Sequence, residues 1–435
     1  MLRRLEHYFN FATLQTNWRT EIFAGLTTFI TMAYIVLVNP AILGQAGMPV
    51  AAVTAATCLC AAIGCFLMGA VAKYPIALAP GMGLNAYFTY VVVLKMGVPW
   101  QTALGAVFLS GVIFLLLTFS GIRQRLVAAI PHELHAAVAG GIGLFIAFIG
   151  FRNAGIIVHD SATLITLGNL RAPQTLLALF GLLLIAVLQV FRVRASMLIG
   201  TVGTLITGIT FGQVHWAPIP YSLHSITATA FKLNILGALH VGAWEIIFVF
   251  LFVDLFDNIG TLVAVTKKAG LMTVDHKIPR LSKIFFADAA STVFGSLAGT
   301  STVCSYIESS AGVAAGGRSG ITAITTGVMF LISLFVAPMV GQIPVAATAP
   351  ALILVGGLML GSVKDIEWAD PLIAIPAFLT LITIPLTYSI ANGLSFGLTS
   401  FALLRLASGK FRKEDWMLYL LAVLFLARFV YMAKG

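Results

Sequence analysis

The chain has 435 residues, of which 60% are hydrophobic and only 9% charged, with a mean hydropathy of +1.02. A soluble globular domain carries about 25% charge, so the composition excludes a water-soluble fold and describes a polytopic membrane protein, its length filled by spans and short loops. The formal net charge of +10 resembles that of a nucleic-acid binder, but the membrane topology derived below accounts for it without nucleic acid.

In chain order, residues 1–20 read as a short cytoplasmic N-terminus. No apolar leader region precedes the first span, so no cleaved signal peptide is expected. Apolar blocks follow at 21–38, 50–71, 76–95, 100–119, 132–150, 172–191 and 196–211. After a polar connection at 212–242 come blocks at 243–265, 283–299, 300–316, 319–337, 346–361, 370–386 and 388–406. The pattern predicts an all-α polytopic fold of fourteen transmembrane spans, seven in 21–211 and seven in 243–406. Residues 407–435 form a basic cytoplasmic tail whose apolar stretch 416–432, interrupted by Arg428, reads as a helix lying on the inner interface.

The basic residues test this count. With the N-terminus inside, the inner side collects Arg3, Arg4, Arg19, Lys73, Arg123, Arg125, Arg192, Arg194, Lys267, Lys268, Lys277, Arg280, Lys283, Arg318, Lys364, Arg405, Lys410, Arg412 and Lys413. The outer side collects Lys95, Arg152, Arg171 and Lys232. Nineteen against four is a strong positive-inside bias and supports both the even count and the orientation. The long connections near 151–171 and 212–242 fall outside. The second holds His215, His224 and His240, but no i,i+4 pair, and reads as an ordinary loop. Cys58, Cys60, Cys65 and Cys304 lie in apolar segments without metal-ligand or disulfide spacing, and read as small core residues.

One span carries unusual chemistry. Ile246–Val265, IIFVFLFVDLFDNIGTLVAV, holds Asp254, Asp257 and Asn258 on one helix face. An ionised Asp at bilayer depth costs at least ~2.5–3.5 kcal/mol, so this face must look into protein or a wet cavity. Two further stretches stand third in their halves. IALAPGMGLNAYFTY (76–90) and GTSTVCSYIESSAGVAAGG (299–317) each open on a helix-breaking segment and then carry one strong polar group, Asn85 or Glu308. Because seven is odd, the second half enters the membrane from the opposite side, giving an inverted-topology repeat with substrate between two broken helices. Ile76–Ala79 and Ser301–Cys304 are expected to be short extended pieces opening the third and tenth spans. Irregular backbone at that depth must line a cavity or be buried in protein.

Other motifs are weaker. GVAAGGRS (312–319) nearly matches a phosphate-binding loop, but has Arg318 for the lysine and follows a membrane span. Asp254 and Asp257 suggest an intramembrane aspartyl protease, yet that chemistry needs carboxylates face to face, usually from different helices. His132 and His135, beside Pro131, read as interfacial rather than catalytic.

TTFITMAYIVLVNP (27–40), ALAPGMGLNAYFTY (77–90), FVDLFDNIGTLVAV (252–265) and SYIESSAGVAAGGRSG (305–320) resemble the AzgA-like purine permeases, in the nucleobase–ascorbate transporter superfamily with the uracil-permease fold. The resemblance runs in order from about residue 17 to 413. It implies two inverted repeats of seven spans, with a core domain (spans one to four and eight to eleven) and a gate domain (five to seven and twelve to fourteen). It also implies proton-coupled import of hypoxanthine, guanine or adenine across the cell membrane by elevator-like movement, in a homodimer, with no cofactor beyond the coupling proton. It gives base recognition to Asn85, Asp254 and Glu308, with Ile307 and Ser309 beside the last. It gives proton coupling to Asp257, with Asn258 at a position where pyrimidine-type relatives often carry a coupling histidine. Val303 and Cys304 depart from the family's threonine-rich run. Carboxylates are pure acceptors and suit the N–H donors of a purine edge. The alternatives are another nucleobase, uracil or xanthine, on the same fold, or an inorganic anion. An anion is disfavoured because the charges identified are all negative and no Lys or Arg lies beside them in sequence.

Overall fold

A computed structural model describes residues 2–123, 131–214, 223–240, 243–273, 278–340, 343–409 and 416–432. Arg125, His215, Lys277, Lys410, Arg412 and Lys413, placed above from sequence, lie outside the described residues. The principal elements in the first half are α1 (Trp18–Met32), α2 (Ile35–Gln45), α3 (Val50–Leu67), β1 (Leu78–Pro80), α4 (Met82–Ala86), α5 (Trp100–Phe119), α6 (His132–Asn153), β2 (Ile157–Asp160), β3 (Leu164–Leu167), α7 (Pro173–Val190) and α8 (Ser196–Thr210). In the second half they are α9 (Ala243–Ala269), α10 (Leu281–Ala298), β4 (Val303–Ser305), α11 (Ser309–Ala314), α12 (Gly320–Val340), α13 (Val345–Met359), α14 (Pro371–Thr387), α15 (Ile390–Ala407) and α16 (Trp416–Met432). Among the described residues, eight helices are long and apolar enough to cross a membrane, and Ser196–Thr210, Gly320–Val336, Pro371–Thr387 and Trp416–Ala427 are shorter apolar helices. The chain is an integral, multi-pass membrane protein.

Two groups of helices pack against one another. Helices α1, α3 and α5 pack chiefly with α10 and α12, and α9 joins them through α5 and α11. In the other group α6 packs with α13 and α14, α7 with α8 and α13, and α14 with α15. The extended openings of the third and tenth blocks meet inside the first group. Strands β1 and β4 pair antiparallel with Leu78 opposite Ser305, Ala79 opposite Cys304 and Pro80 opposite Val303. The ladder is extended at both ends, by Tyr306 N–H to the Ala77 carbonyl (3.0 Å) and Gly81 N–H to the Thr302 carbonyl (2.9 Å). Each non-helical backbone group left unpaired in hydrocarbon costs several kcal/mol, and this pairing removes that cost for both broken spans together. The approach is close: a Cβ on Gly81 would stand 2.7 Å from Cys304 Sγ, so any larger residue there must displace the Cys304 side chain.

The stretch that resembled a phosphate loop does bind an anion, but the anion belongs to the chain. Glu21, in the first turn of α1, is fully buried. Its Oε1 accepts from Arg318 N–H (3.0 Å) and Ser319 N–H (3.1 Å), and from the Thr16 hydroxyl (2.7 Å). Its Oε2 accepts from Ser319 N–H (3.2 Å) and the Thr322 hydroxyl (2.5 Å). A carboxylate therefore caps the N-terminus of α12, where orphan amides and the helix dipole favour negative charge.

Three findings add to the sequence reading. The 151–171 connection is a β-hairpin, with Ile157 opposite Leu167 and Asp160 opposite Leu164. In its turn Asp160 accepts from the amides of Ala162 (2.9 Å) and Thr163 (2.8 Å) and from the Thr163 hydroxyl (2.9 Å). Those donors hold the exposed carboxyl below the usual aspartate range. Helix α16 packs on the bundle: the Phe425 ring lies 5.0 Å from Phe248 and 5.6 Å from Phe252, both on α9. Arg123, counted above with the inner loops, is fully buried.

Glu21→Ala is expected to destabilise the protein by about 2–5 kcal/mol, because it removes the carboxylate acceptor of two backbone amides and two hydroxyls. Glu21→Gln keeps one acceptor and should lose less. Thermal unfolding of the purified protein in detergent checks this; an alanine variant with unchanged midpoint contradicts the capping role.

Candidate functional site

A cavity of about 540 Å³ lies on the seam between the two groups of helices, within the size range of small-ligand sites. The first group supplies Tyr34, at the break between α1 and α2; Met82 and Gly83, at the start of α4; Asp257 on α9; and the run Cys304–Glu308. The second group supplies His132, His135 and Ala139 from α6 and Val355 and Met359 from α13. The cavity extends toward Lys267, Lys364 and Asp365. The two histidines, read from sequence as interfacial, thus stand in the cavity wall, with the His135 ring 4.9 Å from that of Phe256.

The sequence-predicted residues divide into three places. Asp257, Ile307 and Glu308 line the cavity. The Tyr34 hydroxyl donates to Glu308 Oε1 at 2.7 Å, which fixes the carboxylate and leaves its second oxygen for a ligand. Cys304 and Asp257 both line the cavity, so the departure noted at Cys304 falls on the cavity wall itself. Tyr306 donates to the Pro80 carbonyl at 2.5 Å, so its polar end is spent and its ring is a flat apolar surface.

Asn85 belongs to a second, dry network. It donates to Asn39 Oδ1 (2.5 Å) and accepts from the Ser301 hydroxyl. Asn39 in turn donates to Thr57 (2.7 Å) and Thr300 (3.0 Å). Asn85 is fully buried, and it ties α2, α3 and α4 to the segment before β4. Ser309 is likewise buried, its hydroxyl accepting from Ala77 N–H at 3.0 Å. It braces the chain beside β1 rather than facing the cavity.

Asp254 and Asn258 occupy the third place, behind the wall. Asn258 Nδ2 donates to Asp254 Oδ1 at 2.8 Å, and its Oδ1 accepts from Ser305 N–H at 2.8 Å. Arg123 Nη2 lies 3.9 Å from Asp254 Oδ2 and donates to Asp288 at 2.7 Å. Sequence spacing alone could not join Arg123 and Asp288 to Asp254; only the packing of α5 and α10 on α9 does so. Tyr34 was equally hidden, since nothing marks one tyrosine in an apolar span as the partner of a distant glutamate. Arg123 also changes the argument about charge: a cation is present beside an aspartate, although it does not line the cavity.

The geometry places acceptors on the wall of a cavity between two packed groups of helices. Comparisons agree. A structure of the transmembrane domain of a cyanobacterium bicarbonate transporter, BicA, matches with a TM-score of 0.64 at 15% identity, over 89% of this chain and 98% of that one, so the two share a fold. The Escherichia coli adenine permease AdeP is 42% identical over 98% of this chain and 96% of its own. The Bacillus subtilis guanine/hypoxanthine permease PbuG is 44% identical over 98% of this chain and 100% of its own. Residues 19–396 match the Xan_ur_permease model, described as the permease family. The chain belongs to that family and is a permease, not a protease or other enzyme.

Proposed function

We propose that this permease imports purine nucleobases, hypoxanthine, guanine or adenine, together with a proton. The observation that carries the reading is a cavity wall that offers two carboxylates, Glu308 and Asp257, between the side chains of Tyr34 and Tyr306. A carboxylate accepts and never donates when ionised, and a purine edge presents ring and exocyclic N–H donors. Tyrosine rings supply the apolar faces on which a flat base stacks. Tyr34 spends its proton on Glu308, so toward a ligand it too can only accept. The names of the relatives support the same substrate class.

The geometry favours a different division of labour from the one the resemblance implies. Asp257, on the cavity wall, is placed to read the base, while Asp254 stands behind it with Arg123. Asn85 and Ser309 act as struts of the wall. An inorganic anion remains the weaker reading. Arg123 does not line the cavity, and its guanidinium is already engaged by Asp288 and the Phe285 carbonyl.

The remaining architecture is proposed on the resemblance and on charge: fourteen spans in two inverted repeats, a core group moving elevator-fashion against a gate group, a homodimer, and a cytoplasmic N-terminus in the cell membrane. In that orientation Lys267, Lys364 and Asp365 mark the inner mouth of the cavity.

Uptake of labelled hypoxanthine into proteoliposomes, competed by unlabelled bases and by bicarbonate, tests the substrate class. Competition by guanine and adenine but not by bicarbonate is expected; competition by bicarbonate alone overturns it. Glu308→Gln presents a donor to a donor, at a cost of about 2–3 kcal/mol, and should weaken hypoxanthine binding about 30- to 150-fold. Tyr34→Phe removes one hydrogen bond to the carboxylate and should weaken it about 5- to 10-fold. Wild-type affinity in the glutamine variant argues against Glu308 as the base-reading group. For orientation, a cysteine placed at Thr163, in the hairpin turn, should react with an impermeant maleimide from outside, and one at Lys268 should not; the reverse pattern inverts the topology.

A further inference from the structure

Behind the cavity wall three charged side chains share one dry site. Arg123, Asp254 and Asp288 are each at most 1% exposed. Arg123 Nη2 donates to Asp288 Oδ2 at 2.7 Å and stands 3.9 Å from Asp254 Oδ2. Its Nη1 donates to the Phe285 carbonyl at 3.1 Å. Its guanidinium carbon sits 4.0 Å from the ring centres of both Phe114 and Phe285, contacts that favour a cation held away from water.

A structural ion pair explains Arg123 and Asp288. It leaves Asp254 over. With both carboxylates ionised the site carries one uncompensated negative charge, and an unpaired charge at full burial is strongly disfavoured. One proton shared between the two acids makes the site neutral. There is an open seat for it: Asp254 Oδ2 has no hydrogen-bond donor among the described residues. We propose that Asp254 and Asp288 hold one exchangeable proton between them beside Arg123, and that this centre, rather than the cavity carboxylates, carries the proton that accompanies the base. This rests on the symport reading above and assigns its proton.

The site is also connected to the cavity. The amide of Asn258 can point only one way, because its oxygen accepts from Ser305 N–H on β4 and its nitrogen therefore faces Asp254. Strand β4 contributes Cys304 and Ser305 to the cavity wall. A base settling on that wall thus presses on the same short chain of bonds that holds Asp254. The other titratable groups facing the pair are Asp257, one turn on along α9, and Cys304 on β4. On α3, Cys60 faces the Ser291 carbonyl one turn beyond Asp288. From α6, the His135 ring lies 4.9 Å from that of Phe256, which stands between Asp254 and Asp257 on α9. Arg123 is the sole cation in direct contact with the pair among the described residues.

The test uses the full-length protein in proteoliposomes with a trapped pH dye. Wild type should acidify the lumen as external hypoxanthine enters, and should exchange labelled hypoxanthine in counterflow. Asp288→Asn leaves Asp254 and Arg123 as a balanced pair that needs no proton. It should keep counterflow while acidification per base falls below about one tenth of wild type. The double variant Arg123→Gln, Asp288→Asn removes the ion pair together, avoiding a stranded guanidinium should the single variant fold poorly; Asp254 then stays protonated, and acidification should again be lost with counterflow kept. Wild-type acidification per base in either folded variant overturns the proposal. Wild-type counterflow without any acidification overturns the symport reading itself, a result distinguishable from the first.

Discussion

The middle of this molecule depends on three residue pairs of antiparallel sheet. Two apolar blocks are broken by extended segments fully buried in protein, where neither has water to satisfy its peptide groups. The chain solves both breaks at once by pairing Leu78–Pro80 with Val303–Ser305. Everything at the site is hung on this ladder. Cys304, Ser305 and Tyr306 reach the cavity because β4 runs there, Glu308 follows directly, and Met82 and Gly83 approach from the end of β1. The polar groups around the ladder are its braces. Ser309 receives the Ala77 amide, Tyr306 donates to Pro80, and Thr292 exchanges hydrogen bonds with Val303.

Charge is then sorted by the two faces of that wall. The outer face holds Glu308, with a neutral donor from Tyr34, and Asp257. The inner face holds Asp254 and Asp288 with Arg123 between them. The i,i+3 spacing of Asp254 and Asp257 puts them on the same side of α9, but one turn of rise is enough to place one at the cavity and the other behind β4. Asn258, between the two in space, is bonded to both the buried acid and the strand. The cavity and the buried charge cluster are in this way separate, and still joined through Asn258.

Much of this was legible in the sequence, and for identifiable reasons. Polar residues in apolar spans are costly, so Asp254, Asp257, Asn258, Glu308 and Asn85 announced themselves; Asp257 and Glu308 line the cavity, Asp254 and Asn258 lie behind its wall, and Asn85 sits in a separate buried network. Glycine and proline at 80–83 and the β-prone runs 76–79 and 301–304 announced the broken spans, although not that the two pair with each other. What stayed hidden depended on distance in sequence. Nothing near Arg123 distinguishes it from the loop arginines that set topology, and its partner Asp288 lies 165 positions away. Tyr34 is 274 positions from Glu308. The phosphate-like loop at 312–319 was an accurate anion signal with the wrong anion, because the carboxylate that fills it comes from Glu21. The hairpin at 157–167 was missed because its alternation is short and its residues are largely exposed, so neither face carries a burial pattern.

The division of the carboxylates is tested most directly by an experimental structure of the protein with hypoxanthine bound. The account predicts the base against the Tyr34 and Tyr306 side chains, within hydrogen-bonding distance of Glu308 and Asp257, while Asp254 remains beside Arg123 and Asn258. A base in direct contact with Asp254, or touching neither cavity carboxylate, contradicts it.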